Sequence, residues 1–70
     1  MKNKIMNHPI VNRIIGMKLE DASKLLTENG YSIRVINENG SPFMVTADMK
    51  PKRVNVFVIN GHVDDISGMG

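Results

Sequence analysis

Cysteine and tryptophan are absent from this chain of 70 residues, and its only aromatic residues are Tyr31, Phe43 and Phe57. Without thiols, the chain can form neither a disulfide framework nor a thiolate metal site. With so few rings, the core must be aliphatic, and methionine is expected to fill gaps in it. A single small domain of this size leaves no room for a cofactor-binding domain. We therefore expect no cofactor and no metal.

Long apolar runs are also missing. The first residues, MKNKIMNHPIVNRIIG, are interrupted by polar side chains and by Pro9, a pattern that indicates neither a signal peptide nor a membrane span. We therefore expect a cytoplasmic protein with no membrane partner. The polar residues 1–9 predict a flexible N-terminal arm, and residues 10–70 predict a single domain.

The charge balance is only mildly positive. The net charge is +2, which by itself does not indicate a nucleic-acid partner. Lys50, Lys52 and Arg53 form a small basic cluster, and its simplest interpretation is a solvated edge. The alternative is a weak electrostatic contact with an acidic partner or a nucleic acid. No aromatic residue is interleaved with the basic ones, which argues further against nucleic acid.

No group of residues has the spacing of a catalytic or metal site. Asp64 and Asp65 are adjacent, so a strand would direct them to opposite faces. None of the serines lies in a Gly-x-Ser-x-Gly elbow. His8 and His62 are far apart in the sequence, and neither has a metal-ligand spacing. We predict that the protein is not an enzyme.

One helix is predicted, over residues 19–29, because four apolar residues there share one face: Leu19, Ala22, Leu25 and Leu26. Gly30 follows at the position where a C-cap glycine ends a helix. Before the helix, the apolar cluster of residues 10–15 is expected to fold over the core as an irregular or single-turn segment.

Alternating patterns predict strands over residues 31–36 and 53–59. Between them, residues 37–42 are dense in turn-forming types, and residues 43–49 are expected to be extended. The irregular run between the two strands is long for a small domain, and long irregular loops are disproportionately functional.

Asn60-Gly61 predicts a hairpin turn. The turn would lead into a last short strand over residues 62–66, and residues 68–70 are expected to lie outside regular structure. Together these elements predict an α+β fold, in which one α-helix packs on a small mixed β-sheet and an extended loop is exposed.

The most informative stretch is residues 45–58, VTADMKPKRVNVFV. Val54, Val56 and Val58 alternate with other residues as one face of a strand. Just before them, Pro51 lacks a backbone N–H and biases Lys50 towards extended geometry. A stiff extended segment joined to a strand is suited to presenting its backbone to a protein partner.

The same stretch fits the pattern V-T-x-[DE]-x-[RK]-x-x-R-V-x-[VL]-F-V. Upstream, Gly16 precedes a helix that starts with the acidic sequence LEDA, and position 70 is a glycine. Over residues 15–70 the chain thereby resembles the potato inhibitor I superfamily of serine-protease inhibitors. Because position 55 is an asparagine, it is closer to the short bacterial and fungal relatives than to the plant members.

The resemblance implies inhibition by substrate mimicry, with a scissile bond between Ala47 and Asp48. The implied reactive loop is Met44, Val45, Thr46, Ala47, Asp48, Met49 and Lys50. The implied loop-bracing residues are Thr46, Asp48, Arg53 and Asn55. A loop already held in its bound shape avoids losing conformational freedom on docking, which otherwise costs about 1–2 kcal/mol per residue.

Three positions depart from the family pattern. Asn55 replaces the second loop-bracing arginine of the plant proteins, and Lys52 stands where many relatives carry Asp. Ala47 replaces the larger residue common before the scissile bond, so a subtilisin-like or elastase-like protease is the favoured partner. The alternative function is a non-inhibitory protein-interaction module that uses the loop or the sheet face. Oligomeric state is left open.

Overall fold

The computed structural model describes residues 8–70. Residues 1–7 of the predicted arm lie outside the described residues. The elements in chain order are α1 (Pro9–Asn12), α2 (Leu19–Glu28), β1 (Ser32–Glu38), β2 (Ser41–Pro42), β3 (Arg53–Ile59) and β4 (His62–Met69). The single turn α1 agrees with the expected short segment before the main helix.

The four strands form one sheet in the order β2-β1-β3-β4. The central pair, β1 and β3, is parallel, whereas β2 and β4 pair antiparallel with their neighbours. One main helix with a mixed sheet confirms the predicted α+β fold. Because β1 and β3 are parallel, the chain must return along the whole length of the sheet, about 20 Å at ~3.3 Å per residue. Residues 39–52 make that return.

The main helix is terminated by Gly30, the glycine that the sequence predicts for this role. Gly30 has a φ of 83°, and its N–H donates to the Thr27 carbonyl oxygen at 3.2 Å. The next N–H, that of Tyr31, reaches back to the Leu26 carbonyl oxygen at 2.8 Å. This pair of bonds is a Schellman motif, which satisfies helix carbonyls and needs a residue that tolerates positive φ. The helix is one residue shorter than predicted.

The core is entirely aliphatic, as expected from the scarcity of aromatic residues. Its buried side chains are Val11, Ile14, Ala22, Leu26, Val54, Val56, Val58, Val63 and Ile66. The three valines of β3 form one face, confirming their predicted alternation, and pack against α2 and β4. Arg53 and Asn55 alternate with them and therefore lie on the opposite face of the sheet.

Two Asn-Gly turns connect antiparallel neighbours. Asn60 and Gly61 have φ values of 50° and 78°, which confirms the predicted hairpin with a type I′ turn. Asn39 and Gly40, at 52° and 86°, form a second such turn, which leads into β2. The Asn60 N–H donates to the Asn39 side-chain oxygen at 2.8 Å, so the two turns are joined.

The last strand extends further than the sequence predicts. β4 continues to Met69, and the expectation that residues 68 and 69 lie outside regular structure is wrong. Met69 pairs with Val54 and Gly68 pairs with Asn55. Two register shifts along β4 absorb residues that break the alternating pattern, which is why that pattern does not reveal the full strand. Within residues 8–70, none of the helices is long and apolar enough to span a membrane.

Truncation of Leu26 tests this core. Leu26 is fully buried, so Leu26→Ala should lower the free energy of unfolding by about 2–5 kcal/mol, through lost apolar burial and the cavity left behind. Ile59→Ala is the control, because Ile59 is 45% exposed, and it should cost less than about 1 kcal/mol. Urea unfolding monitored by circular dichroism measures both. Equal losses for the two variants would contradict the assigned core.

Candidate functional site

The return path between β2 and β3 includes an irregular stretch, residues 43–52, which we call the 43–52 segment. It contains no helix or strand, and every one of its residues is exposed. The chain bends at Ala47 and turns at residues 51–52, so the predicted extended run is interrupted at Ala47. At one end, the Phe43 N–H donates to the Ile36 carbonyl oxygen at 2.9 Å. At the other, the Arg53 N–H donates to the Lys50 carbonyl oxygen at 3.0 Å.

Asp48 connects the middle of the segment to the sheet. The Thr46 hydroxyl donates to Asp48 Oδ1, and Arg53 Nη1 donates to Asp48 Oδ2 at 3.1 Å. Arg53 Nη2 also donates to the main-chain oxygen of Asp48 at 2.9 Å. Three of the predicted loop-bracing residues, Thr46, Asp48 and Arg53, are therefore brought together.

The hydrogen bonds keep Asp48 ionised. The Thr46 hydroxyl, followed by the Arg53 guanidinium, lowers the pKa of Asp48 from its usual 3.8 to about 2. Both donors favour the charged carboxylate over the neutral acid. A carboxylate with both oxygens occupied and so low a pKa is unsuited to general acid–base work near neutral pH. Asp48 instead attaches the segment to Arg53 of the sheet, and we call this attachment the anchor.

Arg53 can hold Asp48 because its own side chain is buried and hydrogen-bonded. It is the first residue of β3 and is only 8% exposed. Its Nε donates to the Gly70 main-chain oxygen at 3.1 Å, and the Gly70 N–H donates back to the Arg53 carbonyl oxygen at 2.9 Å. A buried guanidinium is stable only when its donors find acceptors. Arg53 therefore binds both the segment, through Asp48, and Gly70, the residue that follows β4.

Asn55, the fourth predicted bracing residue, contacts Arg34 and Gly70. Its side-chain oxygen accepts from Arg34 Nε at 2.8 Å, and its side-chain nitrogen donates to the Gly70 main-chain oxygen at 3.3 Å. Arg34 in turn donates from Nη1 to the Thr46 main-chain oxygen at 3.4 Å. Asn55 is thus linked to the segment through Arg34.

Sequence reasoning missed Arg34. Its alternation with Ile33 and Val35 in β1 places it on the face opposite the core, and this is the only local signal. Its proximity to Asn55 depends on the parallel register, in which Arg34 pairs with Asn55. No local pattern sets that register.

Large apolar side chains are concentrated in the segment. Met44 and Met49 are 102% and 80% exposed, and Phe43 and Val45 are each 46% exposed. Such a cluster of exposed apolar residues is typical of a surface that binds another molecule. Lys52, the last residue of the segment, lies over Tyr31, with its Nζ 5.7 Å from the centre of the ring.

The candidate site lies away from the two main surface depressions. Two surface depressions, of about 470 and 320 Å³, are lined mainly by β3, β4 and the turns near them, and no residue of the 43–52 segment lines either one. In the part of the chain that the structure describes, no group of three or more His, Asp or Glu residues could hold a metal ion.

Comparison of the chain with protein-family models, curated proteins and solved structures found no match. The function of the site is therefore interpreted from its own geometry and chemistry.

The anchor can be tested by titration. Because Asp48 binds a proton less readily when folded than when unfolded, its bonds stabilise the fold above about pH 4. That contribution is lost as the pH falls from about 4 to about 2. Carboxyl-detected NMR should place the Asp48 midpoint near 2, and Thr46→Val should raise it towards 3.8. Thr27→Val, an exposed threonine on α2, is the control and should leave it unchanged. A midpoint of 3.8 in the unmodified protein would contradict the Asp48 contacts.

Proposed function

We propose that the protein is a serine-protease inhibitor that acts by substrate mimicry. The 43–52 segment is the reactive loop in this proposal, and the Ala47–Asp48 peptide bond is the bond offered to the protease. The observation that carries the proposal is the attachment of Asp48 to Arg53 by both its side chain and its main chain. The residue just after the offered bond is thus held to a buried group of the sheet.

This attachment matters because of how a serine protease cuts. The serine attacks the carbonyl carbon, the amine of the following residue leaves, and water then attacks the acyl-enzyme. Here the leaving amine belongs to Asp48. If Arg53 keeps Asp48 in place, the amine stays next to the acyl carbon and can re-form the peptide bond. Because the bond re-forms, net hydrolysis is slow, although the protein binds the protease as a substrate does.

Association also gains from the restrained shape of the segment. The Thr46–Asp48–Arg53 bonds restrict residues on both sides of Ala47 before any protease arrives, so less conformational freedom is lost on docking. Residues 44–50 would then add their backbone to the protease cleft in the manner of strand addition.

The proposed partner is a subtilisin-like or elastase-like protease. Ala47 has a small side chain, which suits a shallow primary pocket. The exposed apolar side chains of Met44 and Met49 supply further contact area on either side. We also propose membership of the potato inhibitor I superfamily, because Thr46, Asp48 and Arg53 form the contacts that the resemblance implies. A cytoplasmic location is part of the proposal.

A second candidate is a protein-interaction module without inhibitory activity. The exposed apolar side chains favour it equally, since Met44 and Met49 would serve any apolar partner. A pull-down that recovers a partner other than a protease, and loses it on substitution of Met44 and Met49, would favour this function.

An inhibition panel tests the proposal directly. The protein should slow hydrolysis of a reporter substrate by subtilisin and by elastase, and mass spectrometry should find slow cleavage confined to Ala47–Asp48. The reason is the held leaving group combined with the small Ala47 side chain. Ready digestion of the segment with no slowing of the reporter would reject the proposal.

Removal of the anchor should turn the inhibitor into a substrate. Asp48→Ala and Arg53→Ala each remove charge-assisted hydrogen bonds, so loop cleavage should accelerate about tenfold or more. Glu20→Ala and Arg13→Ala are matched controls, since they remove the same charges at exposed positions outside the segment. Thermal melting of each variant checks that it is folded. If both anchor variants inhibit as well as the parent, the anchoring mechanism is wrong.

A further inference from the structure

The bonds from Arg53 hold Asp48, the residue on the leaving side of the Ala47–Asp48 bond. The other side ends at Ala47, which becomes the acyl group on the protease serine. For the bond to re-form, this side must also stay in place. Upstream of Ala47, the Thr46 hydroxyl bonds to Asp48 within the segment itself, and the main-chain bond that joins Phe43 to Ile36 in β1 is four residues away. A closer contact with the sheet is needed.

Arg34 makes that closer contact. Its Nη1 donates to the Thr46 main-chain oxygen at 3.4 Å, one residue before Ala47. The guanidinium comes from β1, whereas the group that holds Asp48 comes from β3. The two residues that flank Ala47 are thus held by arginines on adjacent strands.

Asn55 determines where the Arg34 guanidinium points. Its side-chain oxygen accepts from Arg34 Nε at 2.8 Å. Because the guanidinium is planar and its donors form a rigid fork, fixing Nε also fixes the direction of Nη1. The contact with Thr46 therefore depends on Asn55.

The amide of Asn55 suits this network because it can both accept and donate a hydrogen bond. Its oxygen accepts from Arg34, while its nitrogen donates to the Gly70 main-chain oxygen at 3.3 Å. An aspartate has no donor for Gly70, and an arginine has no acceptor for Arg34. The same Gly70 oxygen also accepts from Arg53 Nε, so the two arginines are joined through one acceptor.

We propose that Arg34 is a positioning residue for the acyl side of the Ala47–Asp48 bond, with Asn55 as the adaptor that orients it. This inference rests on the proposed inhibitory function. It assigns the role of the second bracing guanidinium to Arg34 of β1. In β3, the position that the resemblance gives to that guanidinium is occupied by Asn55. Arg34 and Arg53 together keep both fragments aligned after cleavage.

The experiment compares Arg34→Met, Arg34→Lys and the control Arg13→Met in the full chain, against a protease that the parent inhibits. Arg34→Met keeps the length of the side chain and removes its donors, so loop cleavage should accelerate about tenfold. The fraction of the inhibitor that is cleaved at equilibrium should also increase. Arg34→Lys keeps the charge without the fork and should recover only part of the loss. Arg13→Met, at an exposed position, should behave as the parent.

A double-variant cycle tests the adaptor. Asn55→Leu should accelerate loop cleavage, as Arg34→Met does. The acceleration in the combined variant should be smaller than the product of the two single accelerations, because both residues act through one contact. Additive losses would reject the role of Asn55 as adaptor.

The outcomes separate this inference from the proposed function. If the parent inhibits and Arg34→Met matches it in cleavage rate and equilibrium, the inference is wrong and the proposed function stands. If the parent inhibits no protease, both fail. If Arg34→Met is cut throughout the chain and its melting temperature falls well below that of Arg13→Met, Arg34 is merely structural. Cleavage confined to Ala47–Asp48, with melting unchanged, supports the inference.

Discussion

The parallel pairing of β1 with β3 is the constraint on which the rest of the structure depends. It obliges the chain to return along the sheet, and that return includes the 43–52 segment. The same pairing sets Arg34 beside Asn55, on the face opposite the core. With antiparallel neighbours joined by a tight turn, neither the long segment nor this arrangement of polar groups would exist. The candidate site is therefore a consequence of strand direction.

The buried side chain of Arg53 attaches the 43–52 segment to the sheet. A guanidinium that is 8% exposed needs acceptors, and it finds them on Asp48 and Gly70. Those acceptors belong to the segment and to the residue that follows β4, so one side chain joins two parts of the chain that are distant in sequence. The aliphatic core supplies the rigidity behind it, since Val54 and Val56 belong to the same buried cluster as side chains of α2 and β4.

Much of the fold follows from local pattern. The main helix, its Gly30 ending, β3 and the Asn60-Gly61 turn each depend on residues within a few positions of one another, and the structure agrees with them. The prediction of β4 failed because strand pairing extends the strand beyond the residues that show an alternating pattern. β4 extends to Met69 because β3 offers a partner along its whole length, although Ser67 and Gly68 have no strand signal.

The candidate site divides in the same way. From the sequence alone, the resemblance implied that Thr46, Asp48 and Arg53 brace one loop, and all three lie within eight consecutive residues. Only the tertiary structure decided that Arg34 joins them and that Asn55 reaches the segment through it. The physical reason is the register between β1 and β3, which brings Arg34 and Asn55 together across 21 positions of sequence. Hydrogen bonds across strands depend on that register, which side-chain alternation within one strand does not specify.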